Sequence, residues 1–252
     1  IALLGFFKVK PVIINPSFGD IETDLKFISQ EFFPKFSIRR FSLNKTQKTR
    51  LYRRVFDALD YQNWDASRES ALFNHLVGVA VSSLESRYLF DACIEYLAQH
   101  RIAIPKYTVL QRVVSKAIRA EQQRIASVLS FSLSGSLSHA LEAMITGESS
   151  TTLRELCQSA KSFQPSELEK ELKTSQHISP WMEDIASIVR KLGLSLKNQN
   201  HFASMIDYYT ITKLRRFDRS TRHLFLICYL HTQHQTCLLY TSPSPGDGLL
   251  SR

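Results

Sequence analysis

The chain has 252 residues, 44% hydrophobic and 22% charged, enough for one large domain or two small ones. Its formal net charge is +9 and its pI about 9.4, which favours an anionic partner, nucleic acid or an acidic membrane surface, without choosing between them. The four cysteines, Cys93, Cys157, Cys228 and Cys237, form no Cys-x-x-Cys pair, which argues against a disulfide framework and suits a reducing compartment.

The chain opens on Ile1. "IALLGFFKVKPVII" is interrupted by Lys8, Lys10 and Pro11 and is too short for a membrane span. It has neither the charged start nor the cleavage site of a signal peptide. The expectation is a fragment that begins inside a longer protein. A helix is predicted from Ile21 to about Phe33, capped by Asp20 or Thr23, with Leu25, Ile28 and Phe32 on one face. Pro34 stops it. Asn44 or Thr46 caps the next, with Leu51, Val55, Ala58 and Leu59 as its buried stripe and Thr46, Thr49, Arg50, Arg53 and Asp57 pointing elsewhere. A third helix, Ala66 to Ser83, buries Leu72, Leu76, Val79 and Ala80. A fourth, Glu85 to His100, buries Leu89, Cys93, Ile94 and Leu97.

In "HRIAIPKYTVLQRVVSKAIR" Pro105 is placed as a first helical residue, where its missing N–H costs nothing. Val109, Leu110, Val113, Val114, Ala117 and Ile118 follow as one apolar stripe, and the helix runs on toward Leu129. "SFSLSGSLS" reads as a break, His139–Ile145 as a short helix and "TGESSTT" as a linker. Helices are expected near 152–162, 165–174, 180–192, 200–216 and 220–233, with Ser179-Pro180 as a capped start and Leu192-Gly193 as an end. No alternation of period two is sustained. The predicted fold is all-α: a multi-helix bundle with helix-turn-helix-like units over 1–146, a linker at 147–152 and a smaller helical subdomain over 153–235. Residues 236–252, proline-, serine- and glycine-rich without amphipathic period, read as a disordered or vector-derived tail.

No phosphate loop, Walker-type lysine motif or nucleophile elbow occurs. His231, His234 and Cys237 stand at metal-like intervals with His223 upstream, but a zinc site needs four ligands in a closed shell and Cys237 lies in the tail, so a solvated helix end is expected and no metal or cofactor is assigned. His75 and His139 read as surface or satisfied core residues. Asp57, Asp91, Asp184 and Asp207, on separate helices, are expected to pair with nearby Lys or Arg. The basic residues form three clusters: Arg39, Arg40, Lys45, Lys48, Arg50, Arg53 and Arg54; Arg101, Lys106, Arg112, Lys116, Arg119 and Arg124; and Lys213, Arg215, Arg216, Arg219 and Arg222. Cations at a helix start oppose the macrodipole, so those near Lys45 and Lys106 need another reason, and a phosphate backbone supplies one. The candidate DNA-binding residues are Lys45, Thr46, Thr49, Arg50 and Arg53 on one helix, and Lys106, Thr108, Arg112, Ser115, Lys116 and Arg119 on the other. The rival reading is a set of solvated faces laced with local ion pairs, for which Asp57, Glu95 and Glu121 are available.

In order, "GFFKVKP" before "IETDLKFISQEFFPKF", then "TRLYRRVFDALDYQNWD", "RYLFDACIEYLAQHRIAIPKYTVLQRVVSKAIRAEQQR" and "KLGLSLKNQNHFASMIDYYTITKLRRFDRSTRHLFLICYLHTQHQ" resemble the N-terminal region of Tn-three family replicative transposases, over roughly Ile1 to Gln235. Asp60 stands where that family usually has glycine. The resemblance implies a DNA-binding region that recognises terminal inverted repeats, with the metal-dependent Asp-Asp-Glu catalytic domain farther toward the C-terminus. The fragment would be non-catalytic, with no cofactor and no membrane partner. Its partners would be the double-stranded transposon ends, the rest of the transposase chain and a second copy, in a bacterial cytoplasm at the nucleoid. The alternative is a helical protein-interaction or scaffold module that binds no nucleic acid, with Phe202, Met205, Tyr208 and Tyr209 as its core or partner surface.

Overall fold

The computed structural model describes residues 1–13, 18–35, 38, 42, 44–149, 153 and 165–241, except the side chains of 167, 168, 170, 171 and 234–241. The described residues are all-α, and their only β pairing is two isolated bridges. The helices are α1 (Ala2–Val9), α2 (Phe18–Phe32), α3 (Lys45–Leu59), α4 (Ala66–Ser82), α5 (Ser86–Gln99), α6 (Tyr107–Ser132), α7 (Gly135–Thr146), α8 (Pro165–Leu192), α9 (Leu196–Tyr208), α10 (Ile211–Leu214) and α11 (Arg219–Thr241).

Two compact units divide the chain: Ile1–Ala80 with Leu84–Arg119, and Val81–Ser83 with Ala120–Arg252. The division falls inside α6, after Arg119. The expected linker at 147–152 lies within the second unit; its described part is a helix end, where Gly147 at φ +82 closes α7.

In the first unit, Phe7 of α1 packs on Tyr52, Val55 and Phe56 of α3 and on Ala103, all buried. The stripe of α3 is therefore Tyr52, Val55, Phe56 and Leu59. The predicted Leu51 is half-buried and Ala58 is exposed, because the rings that meet Phe7 (centroids 5.2 Å from Phe56) set the buried direction. The stripes predicted for α4, α5 and α6 are buried or half-buried throughout. On α2, Ile21 is buried, whereas the predicted Phe32 is exposed. Asp60, at φ 55 and ψ 45, ends α3 in the left-handed region. Asp tolerates that region better than most non-glycine residues, so the turn is made without the glycine.

In the second unit, α8 runs unbroken through Pro180, where the sequence suggested a new start. A proline forfeits one bond and crowds the preceding turn, and packing of Met182, Ile185, Ile188, Val189 and Leu192, all buried, holds the helix across it. The helix expected over 200–216 is two: Tyr209 is extended, and the Thr210 hydroxyl accepts from the Lys213 N–H to start α10. The backbone of α11 continues to Thr241, so 236–241 are helical rather than irregular. Arg39, Arg40, Cys157, residues 150–152 and 154–162, and the tail beyond 241 lie outside the described residues. No helix among the described residues is long and apolar enough to cross a membrane.

Candidate nucleic-acid interface

The start of α3 is set locally. Asn44 Oδ1 accepts the Gln47 N–H at 2.8 Å, and Gln47 Oε1 accepts the Asn44 N–H at 3.0 Å, a reciprocal capping box. With Tyr52, Val55 and Phe56 facing the core, helical spacing puts Thr46, Arg50, Arg53 and Asp57 at i, i+4, i+7 and i+11 on the far side, beside Arg54. All five are exposed, and among the described residues the side chains of Arg50, Arg53 and Arg54 make no ion pair. Among the described residues Asp57, Asp91, Asp184 and Asp207 form no ion pair either, against expectation. Lys45 is exposed in a first turn with no acidic residue. The Thr49 hydroxyl donates to Lys45 O at 3.0 Å, which occupies its single proton within the helix. Arg54, outside the expected set, shares the face of Arg50 four residues on, and that spacing was the signal for it.

The entry to α6 is built by tertiary contact. Gln62 N–H donates to Arg101 O at 2.7 Å and Ala103 N–H to Gln62 O at 2.9 Å. Ile104 N–H donates to Pro11 O at 2.8 Å, and Ile13 N–H to Ile104 O at 2.9 Å. These parallel bridges hold Ile102–Ile104 extended between the segments that follow α3 and α1. Pro105 is buried ahead of the helix, and it is Lys106 O that accepts the Val109 and Leu110 N–H groups. Pro105 therefore does not open α6; Ile104, just before it, is held in the extended region that a following proline favours. Arg101 at φ +50 pairs with Asp60 at 2.9 Å, joining two non-glycine residues of positive φ.

Beyond that entry, Leu110, Val113, Val114 and Ala117 are buried, and Thr108, Arg112, Ser115 and Arg119 share the opposite side, Ser115 half-buried. Two of the cations here are engaged within the protein. Arg112 Nη2 donates to both oxygens of Glu69, at 3.1 and 3.0 Å. Lys116 Nζ lies over the Phe73 ring, 4.6 Å from its centroid. Glu69 and Phe73 are four residues apart on α4, as Arg112 and Lys116 are on α6, so the two contacts form successive rungs between the helices. Lys106 and Arg119 are exposed, without an ion pair among the described residues.

The remaining basic residues divide in the same way. In the second unit, Arg124 hydrogen-bonds both oxygens of buried Glu121 at 2.7 Å and Leu192 O at 2.9 Å; these are the local ion pairs of the rival reading. Glu95 accepts from Gln99 Nε2 instead, at 3.1 Å. Arg215 donates to the last carbonyls of α7, Ile145 O and Thr146 O. Arg222 pairs with Glu142, whose other contact is His223 Nε2 at 3.0 Å. His223 is buried, and burial pushes its pKa below the usual imidazole value although Glu142 lies beside it. Burial pushes Glu142 upward, but the bonds from Arg222 and His223 outweigh this and hold it below the ordinary carboxyl value. Lys213, Arg216 and Arg219 remain exposed.

Among the described residues no group of three or more His, Cys, Asp and Glu could hold a metal ion; the side chains of His234 and Cys237 lie outside that description. Cys93 and Cys228 are buried free thiols, pushed up by burial to about 11 and about 12. They act as small hydrophobic residues, as expected. Phe202 is buried, Met205 and Tyr209 are half-buried, and Tyr208 is exposed.

No curated protein matches the chain. Residues 1–117 match a family model described as "Domain of unknown function (DUF4158)". That stretch ends two residues before Arg119, where the first compact unit ends, and it holds both basic helix faces of that unit except Arg119: the chain is similar to this domain over its first unit.

Proposed function

We propose that the first unit binds double-stranded DNA, and that the chain is the non-catalytic DNA-binding part of a transposase that recognises the terminal inverted repeats of its element. The observation that carries this reading is the outer face of α3. Arg50, Arg53 and Arg54 stand exposed beside Thr46 and form no ion pair among the described residues, on a helix whose first turn already carries Lys45 and Lys48 against its macrodipole. Three arginines against the single Asp57 on that face leave it net positive, which suits a polyanion, and guanidinium groups suit phosphate oxygens and base edges. Lys106, Thr108 and Arg119 supply a second contact. The transposase class rests on the sequence resemblance, with which the match to a domain of unknown function is compatible. This reading places the protein at the bacterial nucleoid, with the remaining transposase chain and a second copy as further partners. The exposed Tyr208 is what favours the other reading, a protein-interaction module.

The test is fluorescence anisotropy with a randomised duplex pool, followed by sequencing of the bound fraction. Wild-type protein enriches a defined motif. Arg50→Ala/Arg53→Ala/Arg54→Ala loses affinity and lowers the log–log salt slope by about 0.9 per lost phosphate contact. Equal binding by this variant, with an unchanged melting temperature, would overturn the assignment.

A further inference from the structure

Among the described residues, Glu69 is the one acidic side chain set directly against a candidate DNA-contact cation of α6. Both of its oxygens face a single nitrogen of Arg112, Nη2, while the Nε and Nη1 groups of that guanidinium have no partner among the described residues. The pair is open to water: the Arg112 side chain is 65% exposed and the Glu69 side chain 32%. An ion pair in that setting is weak, so a phosphate can displace it. Until it does, the carboxylate cancels the Arg112 charge and repels a second anion. Arg50, Arg53 and Arg54 form no ion pair among the described residues, although Asp57 shares their face.

We infer that Glu69 is a specificity determinant. It competes with DNA phosphate for Arg112, so that α6 contributes binding only on duplexes whose other contacts seat the helix closely enough to displace the carboxylate. Sequence-indifferent binding then falls mainly to α3. The inference rests on the DNA-binding reading above. It makes Glu69 a positioning residue that acts through Arg112 and touches no nucleic acid itself.

The experiment measures affinity and salt slope on two probes, a mixed-sequence duplex and the motif enriched by selection, for wild type, Glu69→Gln, Arg112→Ala and the double variant. Glu69→Gln is expected to bind the mixed-sequence duplex about three- to ten-fold more tightly and with a salt slope steeper by about 0.9. Its gain on the selected motif is smaller, so the specificity ratio drops. In the Arg112→Ala background the gain disappears. Melting curves show whether each variant is folded, and Glu69→Asp, which keeps the charge, restores wild-type discrimination. A wild-type chain that binds duplex while Glu69→Gln binds the mixed-sequence probe equally or more weakly overturns the inference and leaves the DNA reading standing. A wild-type chain that binds neither probe overturns both.

Discussion

The basic faces of α3 and α6 look alike in sequence, each a run of Lys, Arg and Thr at helical spacing, and they differ in the fold. The guanidinium groups of α3 form no ion pair among the described residues, although Asp57 shares their face, whereas Arg112 and Lys116 of α6 are held by Glu69 and Phe73 of α4. A cation already engaged adds less to ligand binding, because the contact it leaves must be given up. It adds a little to the fold, because an exposed contact of this kind contributes up to about 1 kcal/mol. Net charge and spacing cannot separate these cases; partners can.

The comparison yields a graded set of outcomes. The largest effect is expected from Arg50→Ala/Arg53→Ala/Arg54→Ala: on the order of 100-fold weaker duplex binding near 0.1 M salt, with a melting temperature close to wild type. If binding holds, α3 is not the primary contact. Arg112→Ala/Lys116→Ala is expected to cost about ten-fold or less in affinity and also about 1 kcal/mol of stability, since an exposed ion pair and a cation–π contact are both lost. Urea unfolding followed by circular dichroism reads the second quantity. A loss of affinity with no loss of stability would show that these side chains are freer than the structure has them. Asn44→Ala removes the α3 cap and should cost about 1 kcal/mol; faster amide exchange confined to the first turns of α3, with slightly weaker binding, is the expected signature.

The smallest effect lies outside both helices, in the second unit. The His223 pKa is lowered on folding, so the stability its neutral form contributes is complete above the unfolded value of 6.5 and is lost as pH falls below it. Glu142, also lowered, adds a second loss as pH falls below 4.5. Melting temperature should therefore decline modestly from pH 7 to 5, and His223→Gln should flatten the upper part of that decline. His223 and Glu142 both lie in the second unit, so binding to duplex by the first unit should stay level from pH 8 to 6 while the second unit softens.

Much of the local structure could be read without coordinates. The buried stripes of α4, α5 and α6, the Asn44 cap and the Gly193 helix end depend on spacing and on neighbours within one turn. Errors arose where a distant segment decides. Phe7 redirects the buried face of α3, bridges from Pro11, Ile13 and Gln62 delay the start of α6 past Pro105, and packing carries α8 through Pro180. The site followed the same pattern. Thr46, Arg50 and Arg53 share a face because a helix repeats every 3.6 residues, and that holds wherever the helix sits.

By itself, then, the sequence determined which residues are helical, which faces are apolar and where positive charge accumulates, since these follow from short-range periodicity and composition. Only the tertiary structure decided which of those charges are uncompensated. Glu69 and Arg112 are 43 residues apart, and an electrostatic partner at that separation is set by how helices pack rather than by any spacing along the chain.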